Sequence, residues 1–62
     1  MSAKFEIFKG KIGDFHWRLV HTNGQIIASS GEGYTTKVNV LNGIHSVKEN
    51  ALSALVEDKT IA

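Results

Sequence analysis

The chain has no cysteine and no proline among its 62 residues, and only 8% of them are aromatic. Without cysteine, a domain this small loses the disulfide that usually reinforces a thin core, and a cysteine-based metal site goes with it. Charge of one sign is also missing: seven Lys and Arg stand against six Asp and Glu, a net charge of +1. No long-range field is therefore built in to steer a nucleic acid or an acidic surface. No run of about eighteen apolar residues occurs. The opening Met1-Ser2-Ala3-Lys4 leads into an alternating segment rather than an apolar leader core, so the cytoplasm, with no membrane contact, is the expected location.

What is present bounds the fold. At 6.8 kDa, residues 1–62 make one domain at most. The apolar fraction is 42%, but five of those residues are alanines. Roughly twenty side chains of useful size must do the burying. Such a core barely offsets the conformational entropy of folding, so strong local propensity and a partner subunit are both expected.

Alternation reads out the strands. Phe5 and Ile7 face one side of a first strand over Lys4–Lys9, with Lys4, Glu6 and Phe8 on the other. Gly10-Lys11-Ile12-Gly13-Asp14 supplies turn residues. Phe15, Trp17 and Leu19 then alternate with His16, Arg18 and Val20, and Asn23-Gly24 predicts a type I′ turn into a third strand over 25–30. In that strand Ile26 and Ala28 share one face, and Ile27 and Ser29 the other. After Gly31-Glu32-Gly33-Tyr34 the period lengthens: Val40, Leu41, Ile44, Val47 and Ala51 sit at helical spacing behind Thr35 and Thr36 as N-cap residues. A helix over 36–50 follows, with Lys48 favourably near its C-terminal end.

Asn42-Gly43 inside that helix is a turn signal, and glycine costs about 1 kcal/mol there relative to alanine. Close approach of a sheet aromatic at Gly43 would explain it. The tail offers one more apolar pair, Leu55-Val56, before Glu57 and Asp58, which predicts a short fourth strand around residues 55–58. The order is β-β-β-α-β in a single α+β unit: a three-stranded antiparallel meander, a helix covering one sheet face, and a C-terminal strand.

Taken together, Phe15-His16-Trp17-Arg18-Leu19, Asn23-Gly24-Gln25-Ile26-Ile27, Ser29-Ser30-Gly31-Glu32-Gly33-Tyr34 with Lys37, and Asn42-Gly43-Ile44 with Ser46-Val47-Lys48 and Asn50-Ala51 form a specific pattern. It resembles the YegP-like family of uncharacterised small proteins, and Lys4-Phe5-Glu6-Ile7-Phe8 agrees with it. The resemblance implies a β-β-β-α-β motif, used as a tandem repeat or as single-motif subunits. Two motifs join into one sheet and exchange their C-terminal strands, so a single-motif chain is expected to be a homodimer. No enzymatic activity comes with the family.

Candidate chemistry is sparse. Gly31-x-Gly33 between strand and helix, with Lys37, has the setting of a phosphate-binding loop but lacks its glycine spacing, so a capped connection is the plainer reading. His16, His21 and His45 form no chelating pair, and neither metal nor cofactor is expected. No Gly-x-Ser-x-Gly elbow surrounds any serine. Glu57 and Asp58, being adjacent, would point to opposite faces of a strand. Catalysis has no visible seat, and an enzyme would need a composite site where Arg18, Tyr34 and Lys37 meet a second chain.

The sheet face away from the helix gathers Lys4, Phe8, His16, Arg18 and Val20, an interleaving of aromatic and cationic groups on which single-stranded nucleic acid can stack. Glu6 and the low net charge oppose that use. The candidate binding residues are thus Phe8, His16, Arg18, Tyr34 and Lys37, and the expected function is that of a dimeric, non-enzymatic structural or interaction module. Nucleic acid or a small anion is the alternative ligand.

Overall fold

A computed structural model describes residues 2–60 and sets three strands ahead of one helix: β1 (Lys4–Lys9), β2 (Phe15–Val20), β3 (Ile26–Ser29) and α1 (Lys37–Asn50). The strands form an antiparallel meander in the order β1-β2-β3, leaving β1 and β3 as the two edges. Lys4 pairs with Val20 and Lys9 with Phe15, so β1 and β2 match over their whole length. The alternation of the two strands therefore falls in step. Phe5, Phe15, Trp17 and Leu19 turn toward the helix, while Phe8, His16 and Arg18 turn away from it.

Both hairpins close the same way. Gly13 donates to the Gly10 carbonyl and Gly10 to the Asp14 carbonyl; Gly24 donates to the His21 carbonyl and His21 to the Gln25 carbonyl. Gly13 and Gly24 sit at φ 85° and 91°, in the left-handed region that glycine enters without steric cost. Each loop is thus a three-residue connection ending in a left-handed glycine. The expected type I′ turn at Asn23-Gly24 does not form, because it needs positive φ at both residues and, among the described residues, only glycines have it. Asn23 instead accepts the Gln25 amide on Oδ1 at 2.9 Å, which braces the loop from within.

The third strand carries a bulge. Leu19 pairs with Ala28 and Val20 with Ile26, so Ile27 is the extra residue. The slip moves Ile26 to the Val20 face, while Ala28 stays with Leu19. The expectation that Ile26 and Ala28 share a face is corrected by this one inserted residue.

The helix starts where its cap directs. Thr36 has extended backbone, and its Oγ1 accepts the Asn39 amide at 3.1 Å. At the other end Ala51 is the C-cap, donating to the Val47 carbonyl, and Asn50 turns its side chain back to the Ser46 carbonyl at 2.8 Å. Val40 (0% exposed) and Ile44 (7%) pack on Trp17 (7%), with Phe5, Phe15, Leu19, Tyr34 and Val47 around them. Burying an aliphatic side chain of this size contributes about 1.5–3 kcal/mol. Ile7, on the same face of the strand as Phe5, is 37% exposed and stays outside the core.

Gly43 has its packing reason. A β-carbon there would stand 2.5 Å from the Tyr34 hydroxyl oxygen and 2.8 Å from Cζ. The aromatic that approaches it comes not from a strand but from the connection before the helix. Tyr34 is held there by two hydrogen bonds to Phe15, amide to carbonyl in each direction at 2.8 Å.

The fourth strand does not form. Residues 51–53 make a turn and 54–60 have no regular structure. A strand needs a neighbour to satisfy its backbone, and in the lone chain this segment lies against neither sheet edge. Leu52, Leu55 and Val56 are 98%, 95% and 97% exposed. The single-chain architecture is thus a three-stranded sheet with one helix.

Candidate functional site

The open sheet face is built from alternate residues of β1 and β2. Cross-strand register sets Phe8 opposite His16 and Glu6 opposite Arg18. Phe8 and His16 stack, their ring centres 5.5 Å apart and their planes 19° from parallel. The Arg18 guanidinium lies 4.9 Å from the Phe8 ring centre, so one aromatic ring holds an imidazole and a cation together. Arg18 Nε also donates to Glu6 Oε1 at 2.8 Å, and Lys4 Nζ stands 3.5 Å from the other Glu6 oxygen. The Arg18 hydrogen bond and charge, with Lys4 adding to them, hold the Glu6 carboxyl below its ordinary pKa.

This pairing decides what the face can do. Glu6 engages both Lys4 and Arg18, so two cations share one carboxylate and the cluster keeps a single net positive charge. A cleft of about 510 Å³ lies beside it, between Glu6, Arg18, Val20, His21 and Ile26.

His16 is held as well as stacked. Its Nε2 is 2.9 Å from Asp14 Oδ2, and both side chains are largely withdrawn from solvent. Asp14 is wedged between two glycines: a β-carbon on Gly10 would come within 2.5 Å of Oδ1, and one on Gly33 would overlap the carboxyl group itself. The pair was not read from the sequence. Its signal was there, since residues two apart at the start of a strand share a face.

The five candidate residues do not form one site. Phe8, His16 and Arg18 come together on the open face. Tyr34 lies on the opposite side of the sheet, its ring against Gly43 and the core. Lys37 opens the helix and lines a second cleft, of about 360 Å³, with Ile7, Phe8, Lys9 and Phe15. A composite of Arg18, Tyr34 and Lys37 is therefore not assembled within one chain. Among the described residues no cluster of three or more His, Asp or Glu side chains could hold a metal ion, and no helix is long and apolar enough to cross a membrane.

Gly31, at φ 75°, and Ser30, which donates to the Glu32 carbonyl at 3.0 Å, give the strand-to-helix connection its own internal bracing. This loop ends in the Tyr34 bridge and the Thr36 cap.

Comparison with known proteins settles the family. Residues 11–58 match the family described as a domain of unknown function, DUF1508. The chain belongs to the DUF1508 family. It is the same family as the YegP-like proteins, so the resemblance in the sequence is borne out, and its function is unknown. The chain is 49% identical over 59 residues to the UPF0339 protein Atu5359 of Agrobacterium fabrum, covering 95% of this chain and 94% of that one.

It is also 53% identical over 51 residues to the UPF0339 protein in the ptx operon 5′ region of Stutzerimonas stutzeri. There the match covers 82% of this chain and only 45% of the relative. Among solved structures, the NMR solution structure of a Haloferax volcanii protein superposes with a TM-score of 0.87 at 49% identity, covering 92% of this chain and 95% of that one. The three-stranded sheet and single helix of this DUF1508 chain thus match that solved structure.

Proposed function

We propose that this DUF1508 chain is a non-enzymatic interaction module that works as a homodimer in the cytoplasm, a second copy completing its sheet with an exchanged C-terminal segment. The observation that carries the reading is the imbalance of apolar burial. Among the described residues three apolar side chains are buried, whereas ten large ones are exposed, Leu52, Leu55 and Val56 almost fully. A core this small gives little margin over chain entropy, and exposed apolar groups in such number mark a surface meant to be covered.

Family lengths lend support. Some relatives are about the size of this chain, while the Stutzerimonas stutzeri protein is about twice as long, with room for a second motif in one polypeptide. Two motifs, in one chain or in two, are then the working unit. The Phe8, His16 and Arg18 cluster is the part of the module that offers polar and aromatic contacts outside the joined core. Its cations are engaged by Glu6, which argues against nucleic acid as the ligand.

Sedimentation equilibrium over a dilution series, with far-UV circular dichroism on the same samples, tests the reading. A mass of twice 6.8 kDa that falls together with the loss of ordered signal on dilution is the expected result. A stably folded monomer throughout would overturn it.

A further inference from the structure

The cleft of about 510 Å³ on the open sheet face draws on all three strands. Register places Lys4, Val20 and Ile26 in one cross-strand row and Glu6 and Arg18 in the next, with His21 where β2 turns toward β3. We infer that this cleft binds a small organic monoanion, a carboxylate with an apolar body, whose charged end sits on Arg18 and whose body lies on Val20 and Ile26. All of these residues come from one chain, so the site is independent of the two-copy reading.

Charge sets the class of ligand. Lys4 and Arg18 share the Glu6 carboxylate, at 3.5 and 2.8 Å, so the lining holds two cations and one anion. A monoanion neutralises the single positive charge that is left, whereas a more highly charged anion exceeds it.

The polar end of the site is built in advance. Arg18 uses Nε on Glu6 Oε1, and its Nη groups make no hydrogen bond among the described residues. That end of the guanidinium fork takes a carboxylate through two parallel hydrogen bonds. Glu6 at one edge and the Phe8 ring, 4.9 Å from the guanidinium carbon, hold it in place before a ligand arrives. His21 adds a donor. Its Nδ1 accepts the Asn23 amide at 3.2 Å, and since an amide only donates, the proton of the neutral ring lies on Nε2.

The apolar end follows from the bulge. The extra residue, Ile27, turns Ile26 onto the Val20 face, where it is 60% exposed. An apolar body laid on these two side chains removes that area from water. The cleft is also of suitable size, since small-molecule sites span roughly 300–1,000 Å³.

Titration of the full chain with sodium hexanoate, followed by proton–nitrogen correlation spectra, tests the site. Saturable shifts centred on the amides of Lys4, Glu6, Val20 and Gly24 are expected, with a Kd that is roughly millimolar or below. Hexan-1-ol keeps the body without the charge, and acetate keeps the charge without the body. Each should bind at least about tenfold more weakly than hexanoate, as should inorganic phosphate. Arg18→Gln should weaken hexanoate by about tenfold or more. Glu6→Gln keeps an oxygen for Arg18 Nε and raises the charge of the cleft by one, so it should bind hexanoate more tightly. Lys48→Gln, on the helix side of the sheet, should bind as the wild type does. Shifts gathered at Lys9 and Lys37 instead, or none that saturate, would overturn the site. Phosphate, acetate or hexan-1-ol binding as tightly as hexanoate would overturn the ligand class, and so would a Glu6→Gln chain that binds no more tightly. Were Arg18→Gln to lose its folded spectrum, Glu6→Gln and the comparison ligands would still decide the matter.

Discussion

The Tyr34 hydroxyl oxygen lies 2.5 Å from where a β-carbon on Gly43 would stand, so the phenol ring rests directly on the backbone of the helix. This contact explains a glycine that helix propensity alone would reject. It also joins the strand-to-helix connection to the core, because Tyr34 is fixed at its backbone by Phe15.

Gly43→Val should therefore destabilise the fold by more than propensity accounts for, on the order of 1–3 kcal/mol from overpacking against the ring. Gly43→Ala separates the two effects. Propensity alone would raise stability by about 1 kcal/mol, whereas the contact with Tyr34 should cancel or reverse that gain. A thermal melt showing Gly43→Ala stabilised by the full amount would contradict the account.

The Thr36 cap gives a second, independent figure. Thr36→Ala leaves the Asn39 amide without its side-chain acceptor and should cost about 1 kcal/mol in urea unfolding. Thr35→Ala, one residue outside the cap, should be nearly neutral, and equal losses for the two would misplace the helix start.

Asp14 and the two glycines beside it form a coupled unit. Gly33→Ala should displace the Asp14 carboxyl group, break its bond to His16 and lower the melting temperature. In an Asp14→Ala background the same change should cost much less, since the obstructing carboxyl group is gone. Additive losses in that double-mutant cycle would rule out the steric link.

The Glu6 cluster predicts an acid dependence. Its carboxyl pKa is lowered in the fold from an ordinary 4.5, chiefly by the hydrogen bond from Arg18, so the unfolded chain binds the proton more readily. The corresponding stability is fully present above about 4.5 and is lost as pH falls through the lower, folded value. Chemical unfolding across acidic pH should show this component in the wild type and lack it in Glu6→Gln. Salt should reduce it, the group being at the surface.

Much of this was legible in the residues, for reasons that also mark the failures. Phe15, Trp17 and Leu19 alternate with polar neighbours, so β2 and its buried face could be read directly. Ile26-Ile27-Ala28 has no such contrast, and period-two reasoning could not locate the bulge at Ile27. Asn23-Gly24 signalled a turn correctly but not its type, which depends on the His21 to Gln25 closure. Leu55-Val56 carried a strand signal without a strand, because pairing needs a neighbour that pattern does not supply. Phe8, His16 and Arg18 were placed together by alternation. Tyr34 and Lys37 were separated from them by the path of a connection that pattern does not specify.

The central claim, the two-copy reading proposed above, is that the C-terminal segment carrying Leu55 and Val56 is covered by a second copy. Isotope-filtered NOE spectroscopy on a mixture of labelled and unlabelled chains reads this contact between molecules and rejects contacts within one. Cross-peaks from the Leu55 and Val56 methyl groups of one chain to side chains of the other are the predicted result. Methyl groups at 55 and 56 with random-coil shifts and no intermolecular cross-peaks, at concentrations where the protein is fully folded, would contradict it.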